Sequence, residues 1–303
     1  MTIRIPGIHH VTAISGPAQA NVTFYTGLLK QRLVKKTVNF DDPGTYHLYY
    51  GDPKGCPGTI LTFFPFADAG PGRAGPGMAS AYAYAIPKAD FRGWTDVATT
   101  HSEKLDLKTR FGAQVITLRD PDGAPVELIE SDTATDAHSF HSVTLWETDP
   151  DPTARLLTEV FGYEAAGSET ANGVERLRFK APGAERGNLL DIIRSDAPTR
   201  GQPGRGTIHH IAFRARTQDE QHGWQDALAK VGHRTTDVID RQYFNAIYFR
   251  EPGGVLFEIA TDAPGFAIDE PVETMGSKLM LPAQHEPMRA RIEQVLPRLM
   301  VAS

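Results

Sequence analysis

The segment from Thr207 to Asp262 shows the most informative pattern of apolar and polar residues in the chain. It begins with the apolar run TIHHIAFRA and ends with YFNAIYFREPGGVLFEIATD. In the closing run, strand periodicity places Glu258 on the face shared with Leu256 and Ala260, opposite a wholly apolar face. A carboxylate among apolar neighbours is costly unless a positive group compensates it. We therefore expect Glu258 to point into an enclosed space beside a positive group.

The opening phrase of that segment occurs a second time, near the N-terminus. His209 and His210 lie in TIHHIAFRA, and His9 and His10 lie in GIHHVTAIS. Each pair stands in a short apolar run, which predicts a strand. Two histidines and one carboxylate supplied by three strands suggest the facial triad of a non-haem Fe(II) site.

Two phrases repeat along the chain at nearly the same interval. LRDPDGAPVELIE resembles FREPGGVLFEIAT almost position by position, and Glu127 in the first matches Glu258 in the second. The interval between these two acids differs by one residue from the interval between His9 and His141, which open matching strands. Two independent phrases with nearly one interval predict a duplicated half-chain.

Each half divides into two units with the order strand, helix and three strands. The predicted helices span Pro17 to Lys30, Lys88 to Ser102, Asp151 to Val160 and Gln218 to Val231. Turn-forming clusters such as DDPG and DPKGCPG separate the strands. We therefore expect an N-terminal domain with modules 1 and 2 over residues 1–132, and a C-terminal domain with modules 3 and 4 over residues 138–262.

Two segments lie outside these units. The Gly/Pro-rich loop from Ala67 to Met78 has no helix start after it, so it is interpreted as a connector rather than a phosphate-binding loop. Whether this loop also acts as a lid is left open. Residues 263–303 form an extension with apolar residues at helical spacing, namely Met288, Ile292, Val295 and Leu299. This spacing predicts an amphipathic docking helix.

Composition and charge exclude several classes of function. The 303 residues are 40% hydrophobic and 22% charged, and the net charge of −6 argues against a nucleic-acid partner. No apolar run approaches membrane-spanning length, and the N-terminus lacks the apolar core of a signal peptide. Cys56 is the single cysteine, so internal disulfides and thiolate metal sites are excluded and a cytoplasmic location is expected.

Longer phrases carry a family resemblance. YHLYYGD, PGTILTFFPF, AYAIP and NAIYFREPGGVLFEIATD, with the HHV and HHIAF strand openings, resemble the vicinal oxygen chelate superfamily. Within it they are most similar to the hydroquinone-type ring-cleaving dioxygenases, over essentially the whole chain. The resemblance implies an α+β fold in which four βαβββ modules form two curved, incomplete barrels. Modules 1 and 4 would pair in one barrel, and modules 2 and 3 in the other.

The resemblance also implies one metal site. In that family the second His of each pair and the closing Glu hold the metal, which here implies His10, His210 and Glu258 as ligands. The position in module 3 that matches His10 is Ser142, which is not a metal ligand of this kind, so no second metal is expected. Two acids at matching positions are left without a role: Glu127 and Asp191.

Further residues are implied on the substrate side. Tyr248 and Arg241 match the family's substrate-side Tyr and Arg and are predicted to bind substrate and to take part in catalysis. Thr12 lies two residues after His10 on the same strand face, and it is predicted to contact substrate.

Three further histidines, His9, His209 and His47, lie near the predicted ligands in sequence or in the predicted sheet. His9 matches a family histidine near the substrate and is predicted as a catalytic and substrate-binding residue. Regular alternation would turn His9 and His209 away from the ligands, so His9 would need a local bulge to reach the ring. His209 is interpreted as a packing or capping residue, and core packing is favoured for His47 in YHLYY.

The resemblance, together with this ligand set, implies an Fe(II)-dependent dioxygenase that opens a hydroquinone-type or catechol-type ring with O2. Mn(II) and Zn(II) are the candidate substitutes for iron. Two alternatives stay open: a glyoxalase-type isomerase or lyase, which needs no O2, and a metal-free protein that binds quinones or antibiotics. The ring substituents are not determined, and a homo-oligomer is left open.

Overall fold

Four βαβββ modules account for the main strands of the chain. The computed structural model describes residues 4–101, 105–195 and 199–301. Within these ranges each module contributes four strands, in the order that the repeats predict. The strands are β1–β4 (Ile8–Ser15, Arg32–Val38, Tyr46–Gly51, Ile60–Pro65), β5–β8 (Met78–Pro87, Asp106–Arg110, Ala113–Arg119, Pro125–Ser131), β9–β12 (Phe140–Glu147, Glu164–Ala171, Val174–Lys180, Leu189–Arg194) and β13–β16 (Thr207–Ala215, Ile239–Asp240, Phe244–Arg250, Leu256–Pro264).

One helix follows the first strand of every module. These are α1 (Ala18–Val22, continued by the π-helical turn Thr23–Leu28), α2 (Phe91–His101, after the 3-10 turn Lys88–Asp90), α3 (Asp151–Arg155, continued by the π-helical turn Leu156–Val160) and α4 (Gln218–Lys230). All four lie where the sequence predicts them, although Ser102, the expected end of α2, lies outside the described residues. Thr217 caps α4, because its hydroxyl accepts a hydrogen bond from the Glu220 amide.

The strands form two curved, eight-stranded sheets, which confirms the α+β class. The first sheet has the order β14-β15-β16-β13-β1-β4-β3-β2 and the second has the order β10-β11-β12-β9-β5-β8-β7-β6. Modules 1 and 4 join through the antiparallel pair β1–β13, and modules 2 and 3 join through β5–β9. The predicted pairing is therefore confirmed, and strands from the two ends of the chain lie side by side.

Strand alternation separates two environments in the first sheet. Phe257 and Ile259 belong to the main hydrophobic core, which also contains Trp224 and Leu228 of α4. Glu258, between them in sequence, faces the other side of the sheet. One face of this sheet is thus committed to packing and the other is free to form a site.

The two repeated hairpin phrases form their turns in the same way. In the turn between β7 and β8, Asp120 accepts hydrogen bonds from two backbone amides of its own turn. In the turn between β15 and β16, Glu251 does the same. In each phrase the acid that follows Arg therefore stabilises the hairpin turn. The second strand of the hairpin carries Glu127 in one phrase and Glu258 in the other.

The loop from Ala67 to Met78 is held by backbone hydrogen bonds. Arg73 and Gln202 exchange two hydrogen bonds of 2.8 Å, and the Gly72 amide donates to the Arg205 carbonyl at 2.9 Å. The connector between modules 1 and 2 is therefore fixed to the connector that precedes β13, rather than free along its length.

The C-terminal extension contains α5 (Arg289–Val295) and the 3-10 turns Phe266–Ile268, Val272–Thr274 and Glu286–Met288. Ile292 is buried, but Val295 is 62% exposed and Leu296 is buried instead. The predicted apolar face is wrong at Met288, which precedes α5 and is 40% exposed. It is also wrong at Val295, because the helix ends there and the extended backbone of Leu296 turns its side chain inward. None of the helices in the described ranges is long and apolar enough to cross a membrane.

Candidate metal centre

Three adjacent strands of the first sheet converge on one point. His10 on β1, His210 on β13 and Glu258 on β16 face each other there, and we call them the ligand triad. The Nε2 atoms of His10 and His210 lie 3.3 Å and 2.8 Å from Oε2 of Glu258. One ligand atom from each side chain lies within 4.8 Å of the others, and the described residues contain no second group of three such ligands. The structure thus brings the three predicted ligands together.

The ligand triad carries buried polar atoms that form no hydrogen bond. Nε2 of His210 and both carboxylate oxygens of Glu258 are buried, and none has a hydrogen-bonding partner within the described part of the chain. Close approach without hydrogen-bond geometry is expected of ligands that direct their lone pairs at a shared ion. Two imidazoles and one carboxylate suit a divalent transition metal. The residues present therefore fit a metal.

The charge at Glu258 depends on the two histidines of the ligand triad. Burial alone raises the pKa of the Glu258 carboxyl, but His10 and His210 outweigh this effect and hold it well below its usual range. Burial also lowers the pKa of His210, despite its carboxylate neighbour. The site therefore presents an ionised carboxylate and a neutral imidazole, the forms in which these groups bind metals.

The ligand triad lies at the wall of a cavity of about 490 Å³. This volume falls within the range of about 300–1,000 Å³ that is common for small-molecule sites. Much of the wall is aromatic or aliphatic, formed by Ile14, Phe40, Phe64, Phe66, Phe244 and Leu256. The cavity can therefore hold a flat, apolar ring against the ligand triad.

A second histidine stands beside each ligand histidine. The Nδ1 atoms of His9 and His10 are 2.9 Å apart, and those of His209 and His210 are 2.7 Å apart. A histidine that binds a metal through Nε2 carries its proton on Nδ1, so the ligand donates and its neighbour accepts. Burial, with His10 alongside, lowers the pKa of His9 to about 3, and burial lowers that of His209 to about 4. Both neighbours are therefore neutral imidazoles, which can accept a hydrogen bond from Nδ1 of a ligand that binds a metal through Nε2.

The non-ligand histidines His9 and His209 both lie at irregularities in the pairing of β1 with β13, but only His209 lines the cavity. The pairing of β1 with β13 shifts register just before His10 and again just after Thr12. The structure places His209 in the cavity wall, so its interpretation as a packing residue is wrong. His9 is buried beside Phe244, with ring centroids 5.4 Å apart, and does not line the cavity formed by the described residues. Its acid/base role stays a prediction.

Tyr248 and Arg241 form a polar group on one side of the ligand triad. Both line the cavity, and Tyr248 on β15 pairs directly with Glu258 on β16. Nε of Arg241 donates to the Tyr248 hydroxyl at 3.3 Å, and the guanidinium also pairs with Asp41 at 3.2 Å. Burial, followed by the charge of Glu258, raises the pKa of Tyr248 above its usual range. Tyr248 is therefore a protonated phenol at neutral pH.

A second polar group lies on the other side of the ligand triad. Thr12 lines the cavity and accepts a hydrogen bond of 2.9 Å from Thr62 on β4. Nε2 of His47 lies 2.9 Å from the Thr62 hydroxyl, and Nδ1 lies 2.8 Å from the Tyr49 hydroxyl. Burial is the main reason that the pKa of His47 lies well below its ordinary value.

His47 and Tyr49 both line the cavity, so the favoured interpretation of His47 as core packing is wrong. Their period-two spacing in YHLYY was the available signal, because it places both side chains on one face of β3. The sequence alone does not show that this face turns toward the ligand triad rather than toward the helices.

The corresponding part of the second sheet is occupied by ion pairs. Arg110 binds Glu127 through two hydrogen bonds of 2.5 and 2.7 Å. Arg178 binds Asp191 through two more, of 2.8 and 2.9 Å, and Arg176 approaches the same carboxylate at 3.1 Å. The two acids that the sequence left without a role are therefore arginine partners.

Comparison with known proteins gives matches over the whole chain. A model of the Glyoxalase/Bleomycin resistance protein/Dioxygenase superfamily matches residues 7–128 and 139–259. The chain is 45% identical to the Bacillus subtilis (strain 168) protein named "Putative ring-cleaving dioxygenase MhqO", over 98% of this chain and 97% of that protein. It is 33% identical to the chlorohydroquinone/hydroquinone 1,2-dioxygenase of Sphingobium indicum, over 93% of each. A Bacillus subtilis crystal structure described as a "putative dioxygenase" superposes with a TM-score of 0.93, at 45% identity and 99% coverage of both chains.

Proposed function

The chain belongs to the Glyoxalase/Bleomycin resistance protein/Dioxygenase superfamily, and on that premise we propose that it is an Fe(II)-dependent ring-cleaving dioxygenase. The proposed substrate is a hydroquinone-type aromatic, with a catechol-type aromatic as the second choice. The observation that carries the proposal is the ligand triad, which faces a cavity of ring-binding size. Relatives named for ring cleavage, one of them for hydroquinones, support the same choice.

In this proposal His10, His210 and Glu258 hold the metal through two imidazole nitrogens and one carboxylate oxygen. When bound, Fe(II) in such a set would supply the Lewis-acid and redox chemistry that brings O2 and the ring into reaction. Mn(II) and Zn(II) are the substitutes that the same donor atoms accept. His9 acts through His10, because it accepts the Nδ1 proton and leaves Nε2 free for the metal.

The other cavity residues bind and orient the ring. Phe64 and Phe244 line the cavity and supply apolar surface against which the ring packs. Arg241 and Tyr248 donate hydrogen bonds to oxygens on which negative charge develops, and the protonated Tyr248 hydroxyl delivers a proton when one is required. Thr12 contacts the substrate from the opposite side of the ligand triad.

A glyoxalase-type isomerase or lyase fits these residues less well. Such a site with four protein ligands needs a second carboxylate, and the module 1 position that matches Glu258 is the natural place for it. Thr62 on β4 occupies that position. It pairs with Thr12 on β1 in the same register in which Glu258 on β16 pairs with Ala212 on β13. The ligand triad therefore keeps more open positions than a four-ligand site would.

Oxygen uptake by the Fe(II)-reconstituted protein tests this proposal. We expect substituted hydroquinones to be opened with stoichiometric O2 consumption, and catechols to be opened more slowly. The same assay without O2 should give no product. Ring opening that proceeds anaerobically, or isomerase activity with Zn(II) in place of iron, would contradict the dioxygenase assignment.

A further inference from the structure

The hydrogen bonds on the module 1 side of the cavity run in a single direction. The Thr62 hydroxyl donates to Oγ1 of Thr12, which uses its only hydrogen. The Thr62 oxygen must therefore accept from His47, whose ring proton lies on Nε2. A neutral imidazole has one N–H, so Nδ1 of His47 is the acceptor and the Tyr49 hydroxyl is its donor. We call these four residues the relay, which runs from Tyr49 through His47 and Thr62 to Thr12.

The relay ends inside the cavity. The oxygen of Thr12 accepts from Thr62, and its own hydroxyl hydrogen makes no further hydrogen bond among the residues that the structure describes. Thr12 is wholly buried from bulk solvent and lines the cavity. Its hydrogen is therefore available to an occupant of the cavity, and a hydroxyl that already accepts a hydrogen bond is a stronger donor.

The order of the first sheet places the relay opposite Tyr248 and Arg241. The ligand triad occupies β16, β13 and β1, with Tyr248 one strand beyond Glu258 and Thr62 one strand beyond His10. Tyr49 pairs with Thr62 as Tyr248 pairs with Glu258. Tyr49 and Tyr248 therefore occupy equivalent positions in modules 1 and 4, on opposite sides of the ligand triad. Each of them belongs to one of the two polar groups beside the triad.

We propose that Tyr49, His47 and Thr62 are positioning residues that hold the Thr12 hydroxyl as a donor to the second ring oxygen, the one that the metal does not bind. The identity of the ring rests on the proposed function, whereas the direction of the relay does not. The cavity then recognises a ring with two oxygen substituents from two sides. A ring with a single oxygen keeps its place at the ligand triad but loses the hydrogen bond from Thr12.

The direction of the relay is tested without any aromatic ligand. Long-range proton–nitrogen NMR of the Zn(II)-loaded protein reports the tautomer of each neutral histidine, and the His47→Gln variant identifies the His47 signals. We expect the Nε2–H tautomer for His47. The Nδ1–H tautomer would overturn the relay, whether or not the protein acts on hydroquinones.

The role of the relay is tested by anaerobic titration of the Fe(II)-loaded protein with hydroquinone and with phenol, which lacks the second oxygen. Thr62→Val removes the hydroxyl at nearly constant size, and it should weaken hydroquinone binding about three- to tenfold while phenol binding is unchanged. Thr62→Ser keeps a hydroxyl and should restore the preference for hydroquinone. An unchanged ratio of the two affinities in Thr62→Val, or an equal loss for both probes, would overturn the proposal.

Thr37→Val is the matched control for this titration. Thr37 on β2 pairs with His47 in the sheet, and its buried hydroxyl has no hydrogen-bonding partner within the described ranges. Its removal should leave both affinities unchanged. A wild-type protein that binds neither probe would contradict the proposed function, while the tautomer of His47 would still decide the relay.

Discussion

The wholly buried carboxylate of Glu258 stays ionised only because of the side chains that face it. Burial of an uncompensated charge costs several kcal/mol, on the order of the whole stability of a domain. Burial alone would have raised the pKa of Glu258, but His10 and His210, which face the carboxylate, hold this pKa low. The buried oxygens nevertheless lack hydrogen-bond partners among the described residues, so a cation would satisfy them best.

Replacement of this carboxylate should therefore remove the metal. In Glu258→Gln the size of the side chain is kept but the charge is lost. We expect the Fe(II) affinity to fall by more than the roughly 10- to 100-fold that changes outside the ligand shell cause. Competition with a chelator measures it. Glu127→Gln is the matched control in the second sheet, where the carboxylate binds Arg110, and it should leave Fe(II) affinity unchanged. Tight iron binding by Glu258→Gln would refute the triad.

Removal of the Tyr248 hydroxyl tests its proposed role as a hydrogen-bond donor. The hydroxyl accepts a hydrogen bond from Arg241 and keeps its proton, so it can donate to the substrate. We expect Tyr248→Phe to lower kcat by about 10²–10³, with unchanged iron content, because one hydrogen-bond donor at the reacting centre is lost. Steady-state oxygen consumption measures the effect. Tyr163→Phe also removes a buried hydroxyl, one without a described partner, and should leave kcat unchanged. Full activity in Tyr248→Phe would remove Tyr248 from the mechanism.

At the scale of elements, a buried acid at the end of β9 packs against the turn between β15 and β16. The carboxyl of Glu147 packs against Gly253, where an added Cβ would lie 2.6 Å from its Cδ. Glu251, in the same turn, accepts from the Thr153 hydroxyl and from two backbone amides, which suit a carboxylate. Burial, and then the charge of Glu251, raises the pKa of Glu147 well above its usual range.

This raised pKa predicts a loss of stability as the pH rises. The folded protein holds the Glu147 proton more tightly than the unfolded chain does. The contribution of this proton to the free energy of unfolding is therefore fully present below the unfolded pKa near 4.5. It is lost as the pH climbs through the folded pKa, by at most about 1.4 kcal/mol per pH unit. Glu147→Gln imitates the protonated form, and urea unfolding between about pH 5 and about pH 9 should show a flatter decline. Parallel curves for both proteins would mean that Glu147 is not protonated.

At the scale of the whole molecule, the C-terminal extension ties together the two edges of the first sheet. Lys35 on the edge strand β2 lies 2.5 Å from Asp269 and 2.7 Å from Glu270, with its ammonium fully buried. Tyr243, between β14 and β15 at the opposite edge, donates to Asp269 at 3.0 Å. Asp269 therefore links the two edges of the sheet that carries the ligand triad. Phe244, next to Tyr243 in sequence, packs on the ring of His10.

Loss of the cation at this junction should destabilise the protein strongly. Lys35→Met leaves two acids facing each other without a partner, and removal of one member of a buried ion pair costs about 3–5 kcal/mol. Lys36→Met is the control on the same strand, because Lys36 is only half-buried and has no ion pair within the described residues. It loses a single hydrogen bond, to the Ser277 carbonyl, and should cost about 1 kcal/mol. Chemical denaturation measures both. Equal stabilities of the two variants would show that the extension is not held by Lys35.

The repeats were informative at this scale because each module carries its own strand and turn signals. Alternation in VLFEIA placed Glu258 on the correct face, and the matched phrases predicted four modules before any contact was known. The C-terminal extension was harder, since helical spacing alone cannot show where α5 ends, and the buried residue proved to be Leu296 rather than Val295.

The chain itself determined the four modules and the strand face on which Glu258 lies, because strand periodicity, turn residues and repeated phrases are local properties. The pairing of the modules and the three ligand candidates followed from the family resemblance. Only the tertiary structure decided that His209 lines the cavity and His9 does not, although the pairing of β1 with β13 shifts register at both residues. It also decided that His47, Thr62 and Thr12 form one relay across three strands, and that arginines neutralise Glu127 and Asp191. These contacts join residues far apart in sequence, and no local pattern encodes which strand lies next to which.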